Sequence, residues 1–380
     1  MNPSIDKNST YLYSQEYNLT SQLKSWMAIN PGFGCIWDCA YCIQHKDKFF
    51  NDTDYKKVRN ITSVDNTVSE IMANPRITSS TPLALYNFSD PFLPNNTLPL
   101  RQILESLDDR GFTNIVGMIT RTYADSKTLD TIQNLKNLRP IVLVTYAGYE
   151  DKDIESAPAS PRIRLLKELK NRDIKSILYL RPLVQEWVKD GQIQRVRDET
   201  GEYIDGVVMS GIRLTPEIIT KIESRDTVVP YVKNHTNKYF PKVLQNAVID
   251  IFKNVAPVHR YTSCGVSTAM SIPDFNAHLG FFKKTQGADY SSCPLPCKVG
   301  QSKICSKCAT PPVQKIESLL KKINLNDVKF REVNGTIELD REVSKYDLTF
   351  LRHNTSCHFD YTDNKHHVDQ VAGLNVKSLK

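Results

Sequence analysis

The sequence lacks the features that would place the protein in a membrane or send it out of the cell. It contains no run of about 18 apolar residues, the length needed to cross a bilayer. The residues after Met1 are polar, so the apolar core of a secretory signal is missing. Internal repeats, low-complexity linkers and a single block of basic residues are also lacking. We therefore expect a soluble, cytoplasmic protein with no membrane partner.

The length and net charge of the chain are compatible with a large enzyme, but they do not indicate its substrate. A chain of 380 residues is long enough for one large α/β domain and a smaller unit. The net charge of +7 comes from Lys and Arg residues that are dispersed along the chain. Such a distribution is typical of a solvated surface and leaves a nucleic-acid partner open.

Three of the nine cysteines form the most informative motif. Cys35, Cys39 and Cys42 follow Gly34 closely, and glycine lets the backbone bend around a bulky group. Three closely spaced thiolates can hold three irons of a cubane cluster and leave the fourth iron open. A zinc knuckle and three unrelated buried thiols are the alternatives. Zinc sites usually close with four ligands, and the chain offers no fourth ligand at a suitable local spacing, although His45 is near.

The spacing C-x3-C-x2-C, with Tyr41 directly before the last cysteine, resembles the signature of the radical S-adenosylmethionine (radical SAM) enzymes. The resemblance implies that the open iron of a [4Fe-4S] cluster binds S-adenosylmethionine and that reduction yields a 5′-deoxyadenosyl radical. That radical would abstract hydrogen from a substrate, and a one-electron reductant such as flavodoxin or ferredoxin would be needed. Tyr41 would lie near the adenine.

Alternating apolar strands and amphipathic helices predict an α/β fold. The predicted strands are Met27–Asn30, Leu83–Phe88, Ile115–Thr120, Ile141–Ala147, Ser176–Leu183 and Gly206–Ser210. The predicted helices between them are Val64–Ala73, Leu100–Asp109, Lys127–Asn137, Arg162–Asn171 and Gln192–Arg197. Six such units in series imply parallel strands, and the resemblance implies a partial (β/α)6 barrel of the TIM type. Ligands of parallel barrels bind at the carboxyl ends of the strands.

Residues at three predicted strand ends are candidates for binding S-adenosylmethionine. The stretch Asn87–Pro94 resembles the spore photoproduct lyase-like branch of the superfamily, and its Ser89 and Asp90 offer acceptors for an ammonium group. A polar turn that caps the strand is the alternative. At the next two strand ends, the resemblance places candidates for the ribose hydroxyls or the carboxylate, namely Thr120, Arg121 and Thr145.

A second stretch, Glu155–Val184, resembles the same branch. Ser160 and Pro161 predict an N-cap and a first helical residue. Arg164 would then project from the first turn, where its guanidinium could pair with the cofactor carboxylate. An ordinary surface arginine is the alternative.

Beyond the predicted barrel, four cysteines within sixteen residues predict a second metal site: Cys293, Cys297, Cys305 and Cys308. Zinc is narrowly favoured because four ligands so close in sequence suit a small structural knuckle. An auxiliary iron–sulfur cluster would use the same ligands. Two further cysteines are isolated, Cys264 and Cys357. Either could donate hydrogen to a substrate radical, and Cys264 is the candidate catalytic residue; a buried structural thiol is the alternative.

The predicted organisation is an N-terminal segment (1–24), a radical SAM core (25–215) and a smaller α+β metal-binding extension (216–380). The extension has predicted helices at Phe240–Val255 and Pro312–Ile323 and a hairpin around Asn334 and Gly335. The predicted function is a radical SAM enzyme whose substrate is a nucleic-acid base or nucleotide, with the reaction class left open. A peptide or small-metabolite substrate and a non-catalytic nucleic-acid-binding protein are the alternatives.

Overall fold

The computed structural model describes residues 19–46, 56–230, 241–279, 299–306, 311–333 and 335–361. Its strands, in chain order, are β1 (Thr20–Gln22), β2 (Met27–Ile29), β3 (Gly32–Phe33), β4 (Arg59–Asn60), β5 (Leu83–Leu85), β6 (Ile115–Thr120), β7 (Arg139–Thr145), β8 (Ser176–Leu180), β9 (Gly206–Met209), β10 (Val258–His259), β11 (Phe330–Val333), β12 (Thr336–Leu339) and β13 (His358–Tyr361).

The helices are α1 (Val64–Ala73), α2 (Pro94–Asp109), α3 (Ser126–Asn134), α4 (Ala159–Asn171), α5 (Gln192–Thr200), α6 (Pro216–Glu223), α7 (Lys242–Phe252), α8 (Thr262–Ala269), α9 (Val299–Ser306), α10 (Val313–Lys322) and α11 (Lys345–Thr355). Two short 3₁₀ helices lie at Ile43–Lys46 and Gly201–Tyr203. Within the described part of the chain, no helix is both long and apolar enough to cross a membrane.

Eight strands form the main sheet, in the order β1-β2-β5-β6-β7-β8-β9-β10. All neighbours from β2 to β10 are parallel, and only β1 pairs antiparallel with β2. The six predicted strands are confirmed as β2 and β5 to β9. The sheet also extends past both predicted boundaries of the core, through β1 and β10. These strands have three and two residues, too few to show a hydrophobic period.

Helices α1 to α5 connect successive parallel strands, as the sequence predicts. Their ends follow local chemistry: the Ser63 side chain caps α1, and Asp125 caps α3 by accepting the Thr128 N–H at 2.8 Å. The predicted cap at Ser160 is wrong. Helix α4 begins earlier, at Ala159, after Pro158. Pro161 fits inside the first turn because N–H groups there have no intrahelical partner.

Apolar residues cover both faces of the sheet. One face packs against the connecting helices and forms the largest hydrophobic cluster. The other face carries alternate residues of the same strands, such as Leu143 and Tyr179, and packs against Val266 of α8. Helix α8 approaches the sheet closely at Gly265, where a Cβ atom would lie 2.4 Å from the Val208 side chain. Only glycine fits at this contact.

A second, smaller unit follows near the carboxyl end of the described chain. Strands β11, β12 and β13 form a separate sheet that packs with α10 and α11 around its own hydrophobic cluster. The predicted hairpin is confirmed by the antiparallel pairing of Val333 with Thr336. Helix α11 attaches this unit to the main sheet, since Asp347 forms an ion pair with Arg76 at 2.7 Å and His353 Nε2 lies 3.2 Å from the Lys24 carbonyl.

Candidate metal and cofactor site

The cysteine loop begins one residue after the short strand β3. Gly34 has a φ of +89°, in the left-handed region that favours glycine, and Cys35 follows it directly. Cys39 is buried, whereas Cys35 and Cys42 are half-buried. The 3₁₀ helix Ile43–Lys46 ends the loop. The backbone therefore bends sharply just before the cysteine motif, as the position of Gly34 predicts.

Loops that follow three successive parallel strands hold the cysteine loop. After β5, the Ser89 hydroxyl donates to the Gly34 carbonyl at 2.5 Å, and the two residues form a β-bridge. After β6, the Thr122 hydroxyl accepts the indole N–H of Trp37 at 3.0 Å. After β7, the Ile154 carbonyl accepts the Ala40 N–H at 3.0 Å. The three cysteines thus lie at the carboxyl-end edge of the parallel sheet.

A cluster of basic side chains surrounds Asp38, inside the loop. Its carboxylate lies 3.1 Å from Lys56 Nζ, 3.4 Å from Lys221 Nζ and 2.7 Å from Arg225 Nη2. Arg225 also donates to the carbonyls of Asp38 and Asp153, at 2.6 and 2.8 Å. Arg225 therefore ties the cysteine loop to the segment after β7.

Burial raises the pKa of the three cysteine thiols, and nearby positive groups and N–H donors lower it. Burial raises the pKa of Cys39 to about 12, although the charge of Arg121 lowers it. Burial also raises the pKa of Cys35 and of Cys42, while the backbone N–H groups of Trp37 and Gln44 act in the opposite direction. N–H donors and a guanidinium beside thiols suit sulfurs that carry negative charge, as the ligands of an iron–sulfur cluster do.

The three sulfurs of the cysteine loop do not lie close enough together to bind one ion jointly. Among the described residues, only Cys264, Asp274 and His278 bring three ligand atoms within 4.8 Å of one another. The three sulfurs of the cysteine loop are spread more widely. A cubane presents separate irons to separate cysteines, so its ligands lie farther apart than those of one ion.

Ser89 and Asp90 are engaged by the protein itself. The Ser89 hydroxyl accepts the Asn96 amide at 2.9 Å in addition to its bond with Gly34. The Asp90 carboxylate accepts the Thr120 hydroxyl at 2.7 Å and the Arg121 N–H at 2.6 Å. Burial raises the pKa of Asp90 despite these hydrogen bonds. The two residues fix the loop after β5 to the ends of β3 and β6. Their predicted contact with an ammonium stays a prediction.

The predicted residues on β6 and β7 lie at the same edge. Thr120 ends β6 and is buried, and Thr145 ends β7. The Thr145 hydroxyl is buried without a hydrogen-bond partner in the described residues. Arg121 donates to Glu155 Oε1 at 3.2 Å, and its guanidinium lies 5.5 Å from the Tyr41 ring centroid. Arg121 therefore lies between the cysteine loop and the loop after β7.

The structure places two arginines of α4 very differently. Arg164, the predicted carboxylate partner, is exposed and its guanidinium packs 4.4 Å from the Tyr123 ring centroid. Arg162, which the sequence analysis missed, is fully buried and pairs with Glu155 at 2.6 Å. A signal was available, because Arg162 shares its helix face with Leu165, Leu166 and Leu169. The predicted role of Arg164 has no contact that supports it.

Two aromatic rings line a cavity of about 720 Å³, and the Tyr41 ring lies beside one of them. Tyr41 is buried, and its ring centroid lies 6.3 Å from that of Trp187, which contacts Tyr149 edge-on at 5.8 Å. Trp187 and Tyr149 line the cavity. Its charged residues are mostly acidic: Glu150, Asp151, Asp153, Glu186, Asp190 and Asp226, against Lys189, Arg195 and Arg225.

The C-terminal cysteines are described only in part. Cys293, Cys297 and Cys308 lie outside the described residues. Cys305 lies on α9, and its Sγ accepts the Asp274 N–H and the Gln301 side-chain amide, each at 3.4 Å. Cys264 is buried on α8, with its Sγ 3.7 Å from His278 Nδ1. Cys357 is buried in the cluster of the smaller unit. Hydrogen donation by Cys264 stays a prediction.

The chain was compared with protein families, curated proteins and solved structures. No family model and no curated protein matches the sequence. Among solved structures, the chain is similar to a spore photoproduct lyase variant with bound AdoMet and dinucleoside spore photoproduct. The TM-score is 0.49 and the sequence identity is 12%, and the match covers 64% of this chain and 76% of that one. It is also similar to Streptococcus suis SuiB bound to S-adenosylmethionine, with a TM-score of 0.44 and 12% identity over 66% of this chain and 54% of that one.

Proposed function

We propose that this protein is a radical SAM enzyme that holds a [4Fe-4S] cluster at Cys35, Cys39 and Cys42. The observation that carries the proposal is the position of the cysteine loop. Its hydrogen bonds reach the loops after β5, β6 and β7, so the thiols lie at the carboxyl ends of parallel strands. In parallel α/β folds this edge is where ligands bind. We also propose that the main sheet is the partial (β/α)6 barrel that the resemblance implies.

The residues around the loop fit a cluster with one open iron. Such a cluster supplies the electron that cleaves S-adenosylmethionine and starts hydrogen abstraction from a substrate. Arg121 places a positive charge beside Cys39 and Cys42 and lowers the pKa of both thiols against the effect of burial. Glu155 positions Arg121, and the enclosed Arg162 positions Glu155. Two contacts, Arg121 with Glu155 and Glu155 with Arg162, thus hold the positive charge of Arg121 next to the thiols.

For the cofactor, we propose that S-adenosylmethionine binds across the ends of β5, β6 and β7. Tyr41 and Arg121 present an aromatic ring and a guanidinium at this edge, and the Thr145 hydroxyl has no hydrogen-bond partner among the described residues. Ser89 and Asp90 would hold the loop after β5 in position rather than contact the cofactor directly. Their side chains already form hydrogen bonds with Gly34, Thr120 and Arg121. Arg164 would reach the carboxylate only by leaving the Tyr123 ring.

For the substrate, we propose a nucleic-acid base or nucleotide, the class that the spore photoproduct lyase-like stretches imply. A peptide or small metabolite that carries a positive group is the second candidate. The cavity lined by Tyr149 and Trp187 favours this candidate, because six acidic and three basic residues also line it. Acidic walls attract cations and repel a phosphate backbone. A flavodoxin or ferredoxin would supply the electron, and the C-terminal cysteines would hold zinc or an auxiliary cluster.

The first experiment measures 5′-deoxyadenosine after anaerobic incubation of the reconstituted protein with dithionite and S-adenosylmethionine. We expect product from the wild type and from Cys357→Ser, which changes a buried thiol far along the chain from the motif. We expect none from Cys39→Ser. A full cluster without any 5′-deoxyadenosine would refute the proposal. The same assay with oligonucleotides, nucleosides and lysine-rich peptides then identifies which class raises turnover.

A further inference from the structure

Three buried side chains with different ligand atoms meet away from the cysteine loop. They are Cys264 on α8, and Asp274 and His278 in the segment that follows it. The Cys264 sulfur, an Asp274 carboxylate oxygen and a His278 ring nitrogen all lie within 4.8 Å of one another. Thiolate, carboxylate and imidazole are the three ligand types that zinc takes from proteins.

Both contacts that the His278 ring makes within this group use one nitrogen, Nδ1. His278 Nδ1 lies 2.6 Å from Asp274 Oδ2 and 3.7 Å from Cys264 Sγ. A neutral imidazole nitrogen either donates one proton or accepts one, so Nδ1 cannot serve as donor to the carboxylate and acceptor from the thiol together. A metal ion between the three atoms would take the Nδ1 lone pair, the thiolate and the carboxylate at once.

Groups around the three residues hold them in place. The Tyr261 ring stacks on the His278 imidazole with centroids 4.1 Å apart. The backbone N–H of His278 donates to Asp274 Oδ2 at 2.9 Å, and that of Asn276 donates to Oδ1 at 3.3 Å. Orienting contacts of this kind are typical of the residues behind metal ligands.

A second sulfur lies beside this group. Cys305 Sγ accepts the backbone N–H of Asp274 itself, and it also accepts the Gln301 amide. A sulfur that accepts two N–H donors is suited to the thiolate form.

We propose that Cys264, Asp274 and His278 bind a zinc ion, and that Cys305 Sγ holds the Asp274 backbone in place beside it. The ion would fasten α8, which packs against the main sheet, to the segment that carries Asp274 and His278. A metal-bound thiolate carries no S–H, so this assignment replaces hydrogen donation by Cys264. The inference does not depend on the proposed radical chemistry.

The test is the zinc content of full-length, cluster-reconstituted protein by mass spectrometry. Cys264→Ser and Asp274→Asn keep the size of each side chain, and we expect each to lose about one zinc per chain. Cys357→Ser, the matched buried control, should keep the wild-type content. Unchanged zinc in both ligand variants would overturn the proposal, and so would an equal loss in the control.

Cobalt provides a second measurement that needs no change among the three ligands. In the Cys293/Cys297/Cys308→Ser variant, with the iron–sulfur cluster in place, one equivalent of Co²⁺ should give sulfur-to-cobalt charge-transfer bands and the intense visible bands of tetrahedral cobalt. Their absence would overturn the proposal even if Cys264→Ser failed to fold. Because the readout is a metal spectrum, its failure leaves 5′-deoxyadenosine formation untouched.

Discussion

Arg162 and Glu155 form an ion pair from which solvent is fully excluded. Arg162 Nη1 lies 2.6 Å from Glu155 Oε1, and neither side chain is exposed. The other guanidinium nitrogens donate to backbone carbonyls, including those of Pro158 at 3.0 Å and Ala157 at 2.8 Å. Glu155 also accepts from Arg121, which lies beside the cysteine loop. The start of α4, the loop after β7 and the candidate cluster site are therefore joined by one buried network.

We expect Arg162→Met to lower the free energy of unfolding by about 3–5 kcal/mol, because it leaves the Glu155 carboxylate buried without its main partner. Urea denaturation measures this change. Arg164→Met is the matched control on the same helix. Arg164 is exposed and packs on Tyr123, so we expect its loss to cost below about 1 kcal/mol. Equal costs for the two variants would contradict the network.

The main sheet could be predicted because its central strands are long apolar segments. All residues of β8 and β9 are buried, and such runs between turn signals are recognisable from sequence. The cysteine loop was equally recognisable because its ligands are local in sequence. The pair Arg162–Glu155 was missed, since arginines in a first helical turn are usually exposed. The group of Cys264, Asp274 and His278 was missed too, although Asp274 and His278 have the i,i+4 spacing of side chains that meet on one helix face.

Substitution of Gly34 tests whether the turn at this residue positions Cys35. We expect Gly34→Ala to cost about 1–2 kcal/mol, because the φ of +89° is unfavourable for a residue with a Cβ atom. We also expect it to lower the iron content, since Cys35 follows directly. Gly111→Ala is the control: Gly111 has a φ of +74° and nothing within 4 Å of an added Cβ. It should lose similar stability and keep its iron. Wild-type iron in Gly34→Ala would show that this turn does not position Cys35.

His353 makes the attachment of α11 to the main sheet sensitive to acid. Burial lowers the pKa of His353 to about 4, whereas the unfolded chain would titrate near the ordinary value of 6.5. Between these values the unfolded state binds more protons, so stability is present above pH 6.5 and falls as the pH drops toward 4. The shift corresponds to about 3 kcal/mol in total.

The check is urea denaturation of wild type and His353→Gln at pH 7 and pH 4.5. Glutamine keeps an N–H donor for the Lys24 carbonyl and for Asn276 Oδ1, which His353 Nε2 contacts at 3.2 and 3.1 Å, but it does not titrate. We expect a smaller loss of stability in the variant as the pH drops. Parallel losses in the two proteins would assign the acid sensitivity to other groups.

The charge of Arg121 should tune the reduction potential of the proposed cluster. A positive charge near a redox centre stabilises its reduced, more negative form, so Arg121→Gln should make the cluster harder to reduce. Arg121 lowers the pKa of Cys39 and Cys42 for the same electrostatic reason, which places its charge close to two of the three ligands. We expect a midpoint potential that is more negative by several tens of millivolts, equivalent to an effect on the order of 1–2 kcal/mol.

A redox titration followed by electron paramagnetic resonance measures this shift. Arg164→Gln removes the same charge from the exposed face of α4, where solvent screens it, and should leave the potential close to that of the wild type. Iron content separates an electrostatic effect from a lost cluster, so both variants must contain wild-type iron for the comparison. If Arg121→Gln keeps its iron and its potential does not move, then Arg121 does not act on the cluster through its charge. The ion pairs that join Arg162, Glu155 and Arg121 would then only stabilise the loops.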